Sequence, residues 1–232
     1  IHSRDEKGIH LYDVEKGSCS INKKAGGGSV AFTDDGNILV INIGKLKLLN
    51  LKTNAVKEVG SFDFCVKMIK PNNDRTAYSL IQTGSSGGEV HYYQAGNDSA
   101  KKIRRTGLFL HETSINRSGK KLAALSYKGC TVMDNNGTVL NKLDAYSGGP
   151  PIGAAFHPKL DVVYTPRAKS REVVAFETKT YTVLKKYMVP YVFKDTGINS
   201  FVSGRTRVSK GGKWLFVTDG KGVLCFELGP EG

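Results

Sequence analysis

Hydrophobic and polar residues alternate with a period of two along much of the chain, and one alternating segment recurs six times. The copies are IHLYDVEKG from Ile9, LKLLNLKTN from Leu46, VHYYQAGND from Val90, CTVMDNNGT from Cys130, VVAFETKTY from Val173 and VLCFELGPE from Val223. Each sets a large apolar residue (Tyr12, Leu49, Tyr93, Met133, Phe176, Phe226) directly before a polar one (Asp13, Asn50, Gln94, Asp134, Glu177, Glu227). Alternation of this kind predicts a half-buried strand that ends in a turn. The copies start 37, 44, 40, 43 and 50 residues apart.

A second segment lies between each pair of copies: SVAFTDDGN from Ser29, VKMIKPNND from Val66, ETSINRSGK from Glu112, GAAFHPKLD from Gly153 and RTRVSKGGK from Arg205. It reads as a strand running into a tight turn. Asp35-Gly36, Ser118-Gly119 and Gly211-Gly212 supply residues tolerant of positive φ, and Pro71 and Pro158 fix φ at the turn. A third run follows each turn: ILVIN from Ile38, TAYSL from Thr76, KLAALS from Lys121, VVYTP from Val162 and WLFVT from Trp214. A fourth, more polar run follows most copies of the first segment: AVKEV from Ala55, AKKIRR from Ala100, TVLNKL from Thr138 and YTVLKKY from Tyr181. Asn136-Gly137 has the composition of a type I′ hairpin turn joining two of these runs.

Four short antiparallel strands in a unit of about 43 residues is the pattern of a β-propeller blade. On the turn sequences AFTDDGN, AFHPKLD and RVSKGGK, and on LYDVEKG with its strand-ending aromatic-Asp pair, the chain resembles the WD-repeat and YVTN-type propeller superfamily. The Gly-His and Trp-Asp dipeptides of the strict WD repeat are missing, so the resemblance implies a divergent member and does not bring that family's Asp-His-Ser/Thr-Trp network with it. The expected fold is all-β: a β-propeller of four-stranded antiparallel blades in a single domain over residues 1–232. About six blade-equivalents are visible, of which the first and last are incomplete. Closing a six-bladed ring would take about 26 further residues and a seven-bladed one about 69, so a completing segment outside this chain is expected, and incomplete blades favour self-association through open sheet edges.

Composition narrows the class. With 39% hydrophobic and 24% charged residues the chain is globular, not disordered or collagen-like. Its apolar runs, such as Leu122 to Leu125, are far shorter than the roughly 20 residues of a membrane-spanning helix, so no membrane insertion is expected. A net charge of +13 favours acidic partners without choosing among them. Cys19, Cys65, Cys130 and Cys225 are far apart, the last three among apolar or β-branched residues, and all four read as buried thiols. That favours a reducing compartment such as the cytoplasm and otherwise leaves the compartment open.

Catalytic and metal motifs are missing: H-E-x-x-H and G-x-x-x-x-G-K-[ST] do not occur, and neither a G-x-S-x-G nor a G-x-G-x-x-G stands between a strand and a helix. Ser118-x-x-Lys121 falls in a strand-to-strand turn and not on a helix, Asp134 to Gly137 lacks the distal Glu of an EF-hand, and His157 shapes its turn with Pro158. The innermost strands offer Val30, Val66, Ser114 and Ala154, without a ring of metal ligands. No catalytic residue, metal or cofactor is expected from these patterns.

Two connections stand out. PRAKSR puts Arg167, Lys169 and Arg171 in one loop, and the segment from Tyr187 to Gly204 stretches the repeat and carries Tyr187, Tyr191, Phe193, Lys194 and Phe201. Both are expected on one face at adjacent blades. Aromatics beside cations suit a protein interface, so Arg167, Lys169, Arg171, Tyr187, Tyr191, Phe193 and Lys194 are the candidate partner-binding residues. The competing reading has the aromatics folding back to pack the loop. The run Lys101-Lys102-Ile103-Arg104-Arg105 lies on an outermost strand, where charge protects an exposed edge. Three readings follow: a non-catalytic scaffold binding a protein partner through one loop face; a propeller enzyme or a binder of small ligands or metals using the axial channel; and a binder of nucleic acid or another polyanion, ranked below the others because no aromatic stacking platform interleaves with the charge.

Overall fold

The computed structural model describes residues 8–22, 26, 28–42, 44–63, 66–84, 87–144, 150–193, 206–218 and 222–230. The first sheet is the hairpin β1 (Ile9–Asp13) and β2 (Ser18–Asn22). Next comes β3 (Ser29–Phe32), β4 (Ile38–Asn42), β5 (Lys45–Leu49) and β6 (Val56–Ser61), then β7 (Val66–Pro71), β8 (Ala77–Gly84), β9 (Gly87–Gln94) and β10 (Lys101–Thr106). The fourth sheet holds β11 (Leu110–Ile115), β12 (Lys121–Ser126), β13 (Gly129–Asp134) and β14 (Val139–Asp144), and the fifth β15 (Ala155–Phe156), β16 (Val162–Pro166), β17 (Glu172–Glu177) and β18 (Val183–Met188). The last is β19 (Thr206–Val208), β20 (Trp214–Thr218) and β21 (Val223–Glu227).

Every sheet is an antiparallel meander in chain order, four of them four-stranded, with two strands in the first and three in the last. The recurrent apolar-polar segment is the third strand of the four-stranded sheets and of the last sheet, and the first of the two strands in the first sheet. First strands touch across successive sheets, β3 to β7, β7 to β11, β11 to β15 and β15 to β19, so they line the axis and β6, β10, β14 and β18 form the rim. Each rim strand pairs with its neighbour through a register shift, between Leu46 and Lys47, Lys102 and Arg104, Val132 and Met133, and Ala175 and Phe176. Such bulges sharpen the twist that a blade needs.

Period-two alternation decides which side chain enters which seam. Leu80 faces the sheet before it, with Leu39, Leu46 and Tyr78, while its neighbour Ile81 faces the sheet after it, with Leu122 and Met133. Val163 joins Leu125 and Cys130 in the next seam, and Tyr164 joins Leu215 and Val217 in the one beyond. Ile9 and Leu11 close the first seam against Ile38, Val40 and Leu49. Among the described residues the first and last sheets share no hydrophobic cluster; their outward faces leave Tyr12, Ile21, Phe216 and Val223 exposed.

The turns between first and second strands repeat one device with different residues. Thr33, Asn72, Asn116, His157 and Ser209 each donate a backbone N–H across the turn, to Asn37, Ala77, Lys121, Val162 and Trp214. The side chains then accept from the same turn: Asn72 Oδ1 takes Thr76 N–H at 2.9 Å, Asn116 Oδ1 takes Lys121 N–H at 2.9 Å, and Ser209 Oγ takes Trp214 N–H at 3.0 Å. Two of them also reach the next blade, Asn72 Nδ2 donating to Arg117 O at 2.6 Å and His157 Nε2 to Gly212 O at 3.0 Å. Gly212 has φ 81°, and a Cβ there would come within 2.6 Å of the His157 ring, so the contact depends on glycine. At the other turns, Asp13, Asn50, Asp134 and Glu177, the polar halves of the recurrent segment, accept the backbone N–H groups that follow them.

Two local expectations are corrected. Asn136-Gly137 does not form a two-residue type I′ turn: only Gly137 has positive φ, at 88°, and the loop closes from Asp134 to Thr138. The Asp134 carboxylate, which accepts from Asn136 and Thr138, favours this longer form. Of the four cysteines, Cys130 is buried, whereas Cys19 and Cys225 are exposed because they lie on the outward faces of the first and last sheets; Cys65 lies outside the described residues.

Candidate functional site

Both candidate loops lie at one end of the β15–β18 blade, and backbone hydrogen bonds join them. Lys169 N–H donates to Phe193 O at 2.7 Å, Phe193 N–H to Ser170 O at 2.9 Å, and Val189 N–H to Arg171 O at 2.8 Å. Lys169 sits at φ 58°, a left-handed turn position. The two connections therefore form one framed surface, but the side chains divide differently from the sequence expectation. Tyr187 and Phe193 are buried, Phe193 with no exposed surface, and both belong to the cluster that fills the seam before the last sheet. Tyr187 packs edge-on to Tyr164 at 6.2 Å and against Phe226 at 5.5 Å, and Phe193 stacks edge-on with half-buried Tyr191 at 5.5 Å. Wide aromatic side chains bury large areas, and the long inter-blade connection spends them on this seam.

Arg167 is also buried, its guanidinium 5.4 Å over the Phe176 ring. Burial pushes the neighbouring Cys130 thiol up to about 12, against the opposing pull of Arg167, so this sulfur stays protonated and inert. Lys169 and Arg171 are exposed, and Lys194 lies outside the described residues. Beside these two cations stand apolar side chains that the sequence reading did not single out, Met188 and Val192, 61% and 49% exposed. The surface presented outward is thus Lys169, Arg171, Met188 and Val192.

A second polar group sits on the axis at the opposite end of the strands. Lys70, near the end of β7, reaches across the seam to Glu112 on β11, with Nζ 2.8 Å from Oε1 and both side chains buried. Burial lowers the Lys70 pKa to about 8; Glu112 opposes the shift and the Arg207 charge adds to it. Beside this pair Ser79 bonds Thr113, which donates to Ala123 O at 3.0 Å, so polar contacts tie β8, β11 and β12 together near the axis. A cavity of about 150 Å³ opens here, lined by Lys70, Ser114, Ala154, Phe156, Thr206 and Arg207 among others. Ser114 and Ala154 do reach the axial mouth as the sequence suggests, while Val66 and Val30 pack into the seams. Lys70, Glu112, Thr206 and Arg207 were missed; the available signal was a charge inside the otherwise apolar inner runs VKMIKP and LHETSI.

Rim cations are occupied as edge charges: Lys57 pairs with Asp98 at 2.7 Å, Lys102 with Glu89 at 3.3 Å and Lys186 with Glu172 at 3.1 Å.

No protein-family model matches the chain, and no curated protein matches it in sequence. Solved structures do match it in shape. A chain from the crystal structure of the mitotic checkpoint complex superposes with a TM-score of 0.66 at 11% identity, covering 96% of this chain and 82% of its own. A chain of hydrazine synthase from Kuenenia stuttgartiensis gives 0.68 at 12% identity, covering 96% and 78%. At that identity the likeness speaks for the fold, and with the blade meanders around a common axis it makes this chain a β-propeller.

Proposed function

We propose that this propeller is a non-catalytic scaffold that binds a protein partner through the loop face at Lys169, Arg171, Met188 and Val192. The observation that carries this reading is the hydrogen-bonded frame between residues 169–171 and 189–193, which brings exposed cations and exposed apolar side chains together. Interfaces favour such pre-organised patches, since less ordering entropy is lost on binding. A partner segment with acidic residues flanking an apolar anchor fits the patch. The structural neighbour from the mitotic checkpoint complex supports the reading by analogy only, as a propeller chain crystallised within a protein assembly. Membership of the WD-repeat and YVTN-type superfamily is part of the same proposal, resting on the turn sequences.

The test is affinity capture with the intact chain, followed by titration of the partner recovered. Lys169→Glu with Arg171→Glu, and separately Met188→Ser with Val192→Ser, should weaken binding at least tenfold, while Lys101→Glu with Lys102→Glu on the rim should leave it unchanged. Loss with the rim pair and retention with both loop pairs would reject the reading.

A further inference from the structure

We infer that the axial cavity at Lys70 binds a small oxyanion of the carboxylate or phosphate class. Among the described residues its lining contains two cations, Lys70 and Arg207, and no carboxylate. Glu112 sits behind the wall as the partner of Lys70 and balances one of the two charges, so the mouth keeps a net positive charge beside a low-dielectric wall of Ala154 and Phe156. One carboxylate oxygen takes up one of the three N–H groups of an ammonium, and a buried ammonium needs acceptors for the others.

Thr206 supplies the second, independent sign. It is 1% exposed, it lines the cavity, and among the described residues its Oγ1 has no hydrogen-bond partner. Buried hydroxyls are ordinarily satisfied, and an unpaired one on a residue that lines a cavity points to a missing partner. Arg207, exposed at the mouth, is fixed beside it by donation from Nη1 to Thr206 O at 2.9 Å, and a guanidinium carries further N–H donors besides. A volume near 150 Å³ accommodates a ligand about the size of benzene, which suits inorganic phosphate or a short carboxylic acid.

The cavity opens where the first strands enter their turns, at the ends of β7, β11, β15 and β19, whereas the Lys169 face lies at the other end of the blades. The two sites are physically separate, and failure of one leaves the other standing.

Isothermal titration of the intact chain with inorganic phosphate, acetate and lactate, at ionic strength held constant with chloride, tests the inference. Saturable one-to-one binding of at least one of these anions is expected, with acetamide not binding; phosphate alone or the carboxylates alone identifies the class. Thr206→Val and Arg207→Gln should each weaken that binding about tenfold, the loss expected for one hydrogen bond to a charged group. Both variants are mild enough to fold, which thermal unfolding would verify, so the outcome does not rest on the buried Lys70. Absence of saturable binding by all three anions, or binding that both variants leave unchanged, would overturn the inference.

Discussion

Phe193 belongs to a loop by sequence and to the core by packing. It has no exposed surface, and its backbone N–H and C=O both bond the neighbouring turn, at Ser170 and Lys169. Phe193→Ala should therefore cost about 3–5 kcal/mol in chemical denaturation, as for a core aromatic, and not the few tenths typical of a surface loop. Arg167 follows the same logic: a cation in a polar-looking loop turns inward because the Phe176 face is there to receive it. Neither placement could be read from local pattern, since an aromatic in a long loop suits both an interface and a folded-back plug. At Lys70 the charge was visible in the sequence, but its meaning was not, because Glu112 lies more than forty residues away and meets it only across a seam.

The turn device makes predictions at the scale of the element. His157 accepts two backbone N–H groups through Nδ1, from Lys159 at 3.1 Å and Leu160 at 2.9 Å, so the ring must be neutral with its proton on Nε2 toward Gly212. Burial holds its pKa below the usual 6.5, partly opposed by the Gly212 carbonyl. Since the folded-state value is the lower one, the unfolded chain binds more protons in the window below 6.5, and stability falls as pH drops through it. His91, also lowered chiefly by burial, contributes a parallel fall, so the measurement is a difference: His157→Asn should flatten the decline in denaturation midpoint between neutral pH and pH 5 relative to the parent chain. Asparagine keeps the turn because Asn72 and Asn116 already do this work in sister blades.

Arg75 offers a second case. It has φ 60° at the turn position where Gly36, Gly119 and Gly212 stand in other blades. Arg75→Gly relieves left-handed strain of about 1 kcal/mol and gives up a cation–aromatic contact 5.8 Å over Phe32, exposed contacts of that kind being weaker. A small net rise in melting temperature is expected by calorimetry.

For the whole molecule, stability and binding should separate. Among the described residues five seams each join two neighbouring sheets, and Lys169, Arg171, Met188 and Val192 stand outside them all on exposed surface. Charge reversal at Lys169 and Arg171 should leave the unfolding free energy within about 0.5 kcal/mol of the parent while removing partner binding; a large loss of stability would show instead that the loop frame is part of the core. The axial ligand should act in the opposite way, raising the melting temperature with concentration because it binds only the assembled mouth.

The strands, their rank within each blade and the four complete blades were legible because alternation, turn residues and repeat spacing are local properties, written within a few residues of one another. So was the placement of the rim lysines on the outermost strands. Seam assignments were half legible: period two separates the two faces of a blade, but it does not say which long-loop residues will plug the gap beyond. The surface at Lys169 and the mouth at Lys70 were decided by tertiary structure alone. In both, residues far apart in sequence meet only when blades pack around an axis, and burial then determines which aromatic becomes core, which cation stays outside and which charge must find a partner.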